Sequence, residues 1–373
     1  MKLVRISLAI LSLLVIVAIV AIGSLILLVD PNKLKPTIVS QVQKQTGYRL
    51  QIDGNLTWSF YPRLGVKIQR MTVGLPEKSL PFADLQDIRI ATQLSALIRN
   101  EALASSIYIA ETRIGKLHLQ NTQLKIQWQN NILSLSPITA SLYGGSLTGV
   151  AHGSQLSTIP VWDWSIELNR LQIQSLLDDL NRDNKVKLSG IGNITLRNNT
   201  LGKSQDQLLE NLTGNVTFNV ENGSLQGIDL NYFIQSADAL LNKQSPTNIP
   251  KMKQTPFNQM SGSAVIKDGI ATSNDLLVSS SSFTTKGSGT INLIDQTLDY
   301  QLQVMPLQTI KIKGAIPIQL TGSLQNPLVQ LDMLKLNTMI AQDQLEKIKT
   351  KIQKEVKQLP GKIDKFLQRF MDN

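Results

Sequence analysis

The chain has 373 residues, 17% of them charged, a net charge of +10 and no cysteine. The missing cysteine excludes a disulfide framework, a thiolate metal site and a lipid-modified N-terminal cysteine. Charge is unevenly spread, with +2 over residues 1–29, +6 over 30–129, −2 over 130–333 and +4 over 334–373. That split suits anionic lipid headgroups better than a nucleic-acid groove, the plain alternative being solvated basic faces.

Ile6 to Val29 runs 24 residues without a charge, interrupted only by Ser7, Ser12, Gly23 and Ser24. At ~1.5 Å per residue it is long enough for a bilayer core of ~30 Å, and it exceeds the ~7–15 residues of a cleaved signal. Residues 1–29 therefore predict a retained transmembrane signal anchor. Lys2 and Arg5 on one side nearly balance Lys33 and Lys35 on the other. We expect the N-terminus inside and the bulk of the chain exported.

Asp30-Pro31 opens a helix, an N-cap followed by proline at the first helical position. Leu34, Ile38, Val39 and Val42 form its apolar stripe and Gly47 ends it. Such a stripe either lies on a bilayer or caps a sheet, capping being the commoner outcome.

From Arg49 onward the pattern is strand after strand with one apolar face. Val66 and Ile68, Ile107 and Ile109, Leu117 and Leu119, then Leu124, Ile126 and Trp128 keep a period of two. Val216, Phe218 and Val220 follow, then Leu298, Tyr300, Leu302 and Val304, then Ile316, Ile318 and Leu320. Asp53-Gly54, Asn222-Gly223 and Asp268-Gly269 suit tight hairpins. About 18 such segments imply a mainly β, antiparallel body. Helices are few: Ser175 to about Leu180, one opened by Ser204 and Gln207 as a capping box, Asp229 to Asn242, and a tail from Leu334. The tail is interrupted at Pro360-Gly361.

One-sided strands fit either a sandwich with its apolar faces together or one curved sheet whose apolar face lines a groove. Periodicity alone favours the sandwich, because most such patterns bury a core.

Catalytic chemistry finds little footing. His118 and His152 are the only histidines, and His118 reads as an ordinary polar-face residue. Asp178-Asp179 are helix neighbours that point in different directions. Gly190-Ile191-Gly192 and Gly287-Ser288-Gly289 lack the third glycine of a dinucleotide loop and lie in strand context. Tyr143-Gly144-Gly145 reads as a turn, and Ser279 to Ser282 as a polar strand or its edge. No phosphate-loop lysine, zincin helix or nucleophile elbow is present. The expectation is no enzyme, no cofactor, no metal and no nucleic-acid partner.

Several weak motifs, in order, carry a resemblance. Asp30-Pro31-Asn32, Gln45-Thr46-Gly47, Leu50 to Gly54 and Phe60 to Val66 resemble the opening of the AsmA family. The likeness continues through Phe82-Ala83, Ile88-Arg89-Ile90 and Leu97-Ile98-Arg99. Gly214 to Leu230, Ser261 to Leu276, Gly287 to Tyr300 and Ile316 to Asp332 resemble that family's C-terminal pattern. Larger members have a longer middle section than residues 130–170 supply here.

The resemblance reverses the preference for a sandwich. It implies a long curved antiparallel sheet forming an open apolar groove, distantly like the chorein-type bridge proteins that conduct lipid acyl chains. About 18 strands at about 4.8 Å give roughly 85 Å of groove at most. The organisation it implies is an anchor over 1–29, an N-terminal-like β-region over 30–160, a C-terminal-like β-region over 161–333 and a basic amphipathic helical tail over 334–373. Val216, Phe218, Val220, Leu298, Tyr300, Leu302, Val304, Ile316, Ile318 and Leu320 would line the groove. The implied setting is a bacterial inner membrane, single-pass, with the bulk in the periplasm, in outer-membrane biogenesis. Membrane phospholipids are the implied partners. The alternative is a membrane-anchored scaffold that contacts other envelope proteins without handling lipid, with the tail as a docking helix.

Overall fold

In the computed structural model the residues described are 30–46, 48–59, 64–74, 80–92, 103–129, 131–156, 158–180, 185–241, 244, 254–307 and 314–371. The expected anchor lies outside them, as do Phe60 to Arg63 and Leu97 to Arg99 of the motif segments. No described helix is long and apolar enough to cross a membrane.

Helix α1 (Pro31–Thr46) is followed by strands β1 (Arg49–Asp53), β2 (Thr57–Ser59), β3 (Leu64–Gly74), β4 (Pro81–Thr92), β5 (Leu103–Ile114), β6 (Leu117–Gln129), β7 (Ile132–Leu142), β8 (Gly145–Ser154) and β9 (Val161–Gln172). Helix α2 (Ile173–Leu180), β10 (Lys187–Leu201), α3 (Gln205–Glu210), β11 (Thr213–Gln226) and α4 (Leu230–Leu241) come next. Strands β12 (Gln254–Lys267), β13 (Ile270–Ser279), β14 (Phe283–Asn292), β15 (Thr297–Pro306), β16 (Ile316–Ser323) and β17 (Asn326–Leu331) precede the long α5 (Met333–Met371).

The strands form one sheet of 17. From β3 to β17 each strand pairs antiparallel with its chain neighbour. No second sheet faces it among the described residues, so the apolar face is not that of a sandwich.

Period-two alternation sends one side of every strand inward. In the first half that face is closed. Leu85, Ile88, Ile68 and Leu133 are fully buried, and Ile38 and Val42 of α1 join the same cluster. The leading helix thus caps the sheet. Asp30 Oδ1 accepts the Asn32 N–H at 3.0 Å, as its N-cap position requires.

The second half is rolled. The Lys185 N–H, just ahead of β10, donates to the Gln325 carbonyl in the β16–β17 turn at 3.2 Å. Five strands separate β10 from β16, so only strong curvature brings these segments together. Bulges in β11 opposite β10, in β9 opposite β10, and in β13 opposite both β12 and β14 add to the twist.

Three local expectations are corrected. Asn222-Gly223 is no hairpin: Asn222 has φ +50° inside β11, where the register with β10 gains a residue, making a bulge. Asp53-Gly54 joins β1 and β2 end to end along β3 and does not fold them face to face. The tail helix does not stop at Pro360-Gly361 but runs on to Met371. Proline removes one helical N–H and bends a helix, and neither effect obliges it to end. Asp268-Gly269, with φ of +50° and +75°, does make the tight β12–β13 turn.

Candidate functional site

All ten expected lining residues lie in the sheet's inward register. One row runs Leu168–Ile194–Phe218 across β9 to β11, then Gly287–Leu302–Ile318–Leu331 across β14 to β17. Gly262 and Leu276 link its two parts over the β12–β13 bulge. A second row runs Ile166–Leu196–Val216–Ala264, and beyond the bulge Ser273–Gly289–Tyr300–Leu320–Val329.

The ten divide into two groups. Val220, Leu302, Val304, Ile316 and Ile318 are buried, Val304 and Ile316 completely. Val216, Phe218, Leu298, Tyr300 and Leu320 are only half-buried. The divider is α4, which leaves the sheet after β11 and packs against β15, β16 and β17. Its Leu230, Ile234 and Ala237 share a cluster with Phe283, Val304, Ile316 and Ile318. At the opposite strand ends α3 and the turn after it bring Leu209 and Leu212 against Ile266 and Ala271, with Trp164, Val216 and Ile291 packed on them. Ser204 caps α3 by accepting the Gln207 N–H at 3.3 Å. Gln207 Oε1 accepts the Lys203 N–H at 2.9 Å and not that of Ser204, so the capping box is displaced by one residue. Between these two helical stoppers the inner face keeps a half-open apolar band.

Glycines on the inner face make room for the aromatics. A Cβ on Gly262 would stand 3.2 Å from the Phe218 ring, and one on Gly289 would stand 2.6 Å from that of Tyr300. Gly-x-Gly within a strand pattern marks such close approaches. That signal was present in Gly287-Ser288-Gly289 and was not read as part of the groove.

Burial pushes the Tyr300 hydroxyl above its ordinary pKa. Asp275, at the bulge, accepts both the Ser263 N–H at 2.8 Å and the Ser263 hydroxyl at 2.6 Å, which hold its carboxyl below the usual range. Asp178 pairs with Lys187 at 2.9 Å and Asp179 accepts from the Tyr143 hydroxyl at 2.8 Å, so the two acids tie α2 to β10 and to the β7–β8 turn. Burial and that bond raise the Tyr143 pKa. His118 is exposed on the outer face. Thr285 Oγ1, Ser236 Oγ and Asn198 Oδ1 are buried with no hydrogen-bond partner among the described residues. No group of three acidic or histidine side chains stands close enough to hold a metal ion among the described residues.

At its far end the groove is trimmed by α5. Strand β17 pairs with β16 only from Ile318 onward, and the Asp332 N–H then donates to the Pro317 carbonyl at 3.0 Å. Leu336 of α5 is buried in the inner cluster. A cleft of about 450 Å³ lies beside it, lined by Gln301, Gln303, Pro317, Lys335 and Met339 among others. Farther along the helix, Leu345, Ile348 and Ile352 are more than half exposed.

The AsmA family model matches residues 1–115 and 103–276. Over 99 residues the chain is 29% identical to Protein AsmA of Escherichia coli K12, a stretch that covers 26% of this chain and 16% of that protein.

Proposed function

The chain belongs to the AsmA family, and from that premise we propose that it binds or guides phospholipids along its apolar β-groove, in outer-membrane biogenesis and envelope lipid homeostasis. On this reading residues 1–29 anchor it in the inner membrane and the sheet lies in the periplasm. The observation that carries the reading is the half-open band on the inner face, formed by Val216, Phe218, Leu298, Tyr300 and Leu320. Soluble proteins seldom leave contiguous apolar surface of this kind without an occupant. Removing acyl methylenes from water is worth about 0.8 kcal/mol each, and contacts of that sort have no direction, so a chain can slide. Headgroups would stay in solvent at the open side. No acid, base or nucleophile is required for this work, and the reading is that of a carrier and not an enzyme.

The test is photo-crosslinking of the full-length chain in native membranes, with a diazirine side chain at position 320 or at its outward neighbour Thr321. Phospholipid adducts at 320 and none at 321 are expected. Equal yields at both positions, or none at either, would remove the groove as the lipid site.

A second reading takes the exposed stripe Leu345, Ile348 and Ile352 on α5 as a protein contact. It makes the chain a scaffold whose tail docks another envelope protein. Protein adducts from position 348, with no lipid adducts at 320, would favour it.

A further inference from the structure

Helix α5 carries apolar residues on two opposite sides. Near its start Leu336 is buried in the inner cluster and Ile340 packs against that cluster. At about 100° per residue, Leu334, Leu345, Ile348 and Ile352 stand roughly 120–180° round the helix from Leu336. Leu334 is 84% exposed and the other three are more than half exposed. Lys347 and Lys354 stand instead on the side of Leu336, within about 20° of it. Beyond Ile340 the side that met the sheet is therefore polar, and the apolar stripe lies opposite the sheet contact. A stripe so placed does not serve packing on the chain's own sheet.

The chemistry of the stripe selects its occupant. Lys349 and Lys351 flank it, and residues 334–373 carry a net +4. The spacing of three and four runs on in the sequence through Val356, Leu359 and Ile363. Protein interfaces are poor in lysine, whose charge is costly to strip of water. At a bilayer surface the same lysines reach the headgroups while their stems lie along the apolar edge, each worth about 1 kcal/mol against anionic lipid. An apolar stripe with cationic flanks fits such a surface in both its parts.

The start of the same helix is fastened to one end of the groove. Leu336 shares its cluster with Leu302 and Ile318, whose row ends at Leu331 on β17. Gln301 alternates with Leu302 and so lies on the other face of the sheet. There Lys335 Nζ donates to Gln301 Oε1, and it also pairs with Asp332 at 3.5 Å. The first turn of α5 thus holds both faces of the last strands. From Leu336 to Leu345 the helix axis rises only about 14 Å. A surface under the stripe is therefore close to the β15–β17 end of the groove.

We propose that the stripe of α5 lies in the headgroup region of an anionic bilayer, and that the β15–β17 end of the groove is where phospholipid passes between groove and bilayer. The choice of this end rests on the lipid reading of the groove, and the docking does not.

The absence of cysteine in the chain allows a site-specific test. Full-length protein is held in nanodiscs of phosphatidylcholine, with an environment-sensitive fluorophore on Ile348→Cys or on Lys354→Cys. Vesicles of phosphatidylglycerol and phosphatidylcholine in equal parts, or of phosphatidylcholine alone, are then added. Fluorescence at 348 should rise at least about twofold with the anionic vesicles and fall back in high salt, while 354 stays unchanged. No rise at 348, or an equal rise at both positions, would overturn the docking. In the second arm the anionic vesicles carry a phospholipid with a biotin-tagged headgroup, and the protein carries a diazirine at position 320. Tagged adducts are expected in the parent and should be at least about fivefold fewer when Leu345, Ile348 and Ile352 are all replaced by glutamine. Equal adducts in parent and variant would overturn the choice of groove end while leaving the docking intact. A rise at 348 with no tagged adducts at 320 in the parent would overturn the groove reading, and the choice of end with it. Protease resistance of the variant against the parent separates lost docking from lost fold.

Discussion

The side chain of Tyr300 crosses an entire strand to reach Ser273. Ser273, Gly289 and Tyr300 stand in register on β13, β14 and β15, and the tyrosine hydroxyl donates to Ser273 Oγ at 2.9 Å over the bare backbone of the glycine. The ring covers what would otherwise be exposed main chain in the groove floor, the device by which an aromatic compensates for a glycine in a sheet. A Cβ at Gly289 would meet the Asp299 carbonyl at 2.3 Å as well as the ring at 2.6 Å. We expect Gly289→Ala to cost about 1–3 kcal/mol, the usual penalty of overpacking. Tyr300→Phe keeps the ring, strands the Ser273 hydroxyl, and should cost about 1 kcal/mol. Denaturant midpoints at unchanged slope would check both.

Charge placed along the groove should act differently according to α4. Leu320 is half-buried, and a glutamate there can keep its carboxylate in water, so Leu320→Glu should fold normally and lose lipid adducts from a diazirine at 298. Leu302 is 7% exposed in the row just outside the α4 seat. Leu302→Glu buries an unpaired charge and should cost on the order of 3–5 kcal/mol, so lost lipid in that variant would report unfolding. Thermal unfolding beside adduct yield distinguishes the two effects.

Asp275 makes the β12–β13 bulge sensitive to acid. Its carboxylate accepts two hydrogen bonds from Ser263 in the folded chain, and its pKa is lowered from 3.8. A group depressed on folding contributes stability above its unfolded pKa, and that contribution is lost as pH falls through the folded one. The stability gap between the parent and Asp275→Ala should therefore be full at neutral pH and shrink below about pH 4. The side chain is exposed, so the gap should also be modest. Denaturation curves at pH 7 and at pH 3 give the comparison.

Much of this was legible because strands are local. Leu298, Tyr300, Leu302 and Val304 alternate with polar neighbours, and a period of two leaves only one way to face them. The same logic placed His118 outside. What could not be read from spacing is which of the ten face residues are covered, because α4 follows β11 in sequence and covers β15 to β17 in space. Bulges were misread for a related reason. Asn-Gly supplies positive φ equally well to a turn and to a bulge, and the choice is made by the partner strands. Asp178 and Asp179 read only as helix neighbours that point apart, yet each has a partner, Lys187 on β10 and Tyr143 in the β7–β8 turn. The closed first half was likewise hidden, since its strands carry the same alternation as the open band.

The basic tail separates the two functional readings. Leu345, Ile348 and Ile352 recur at helical spacing on α5 and are 57%, 55% and 55% exposed, with Lys349 and Lys351 on the flanks of the stripe. An apolar stripe flanked by lysines matches an anionic bilayer surface in both its parts, whereas a protein partner would need a groove of its own to match it. Replacing all three apolar residues by glutamine should leave sheet stability within about 0.5 kcal/mol, because exposed side chains that pack on nothing rarely contribute more. The same variant, carrying a diazirine at position 349, should lose phospholipid adducts that the parent gives there, and the parent's adducts should weaken in high salt as screened charges let go. Protein adducts at 349 that persist in high salt and vanish in the triple variant would instead assign the tail to a partner protein, and the scaffold reading with it.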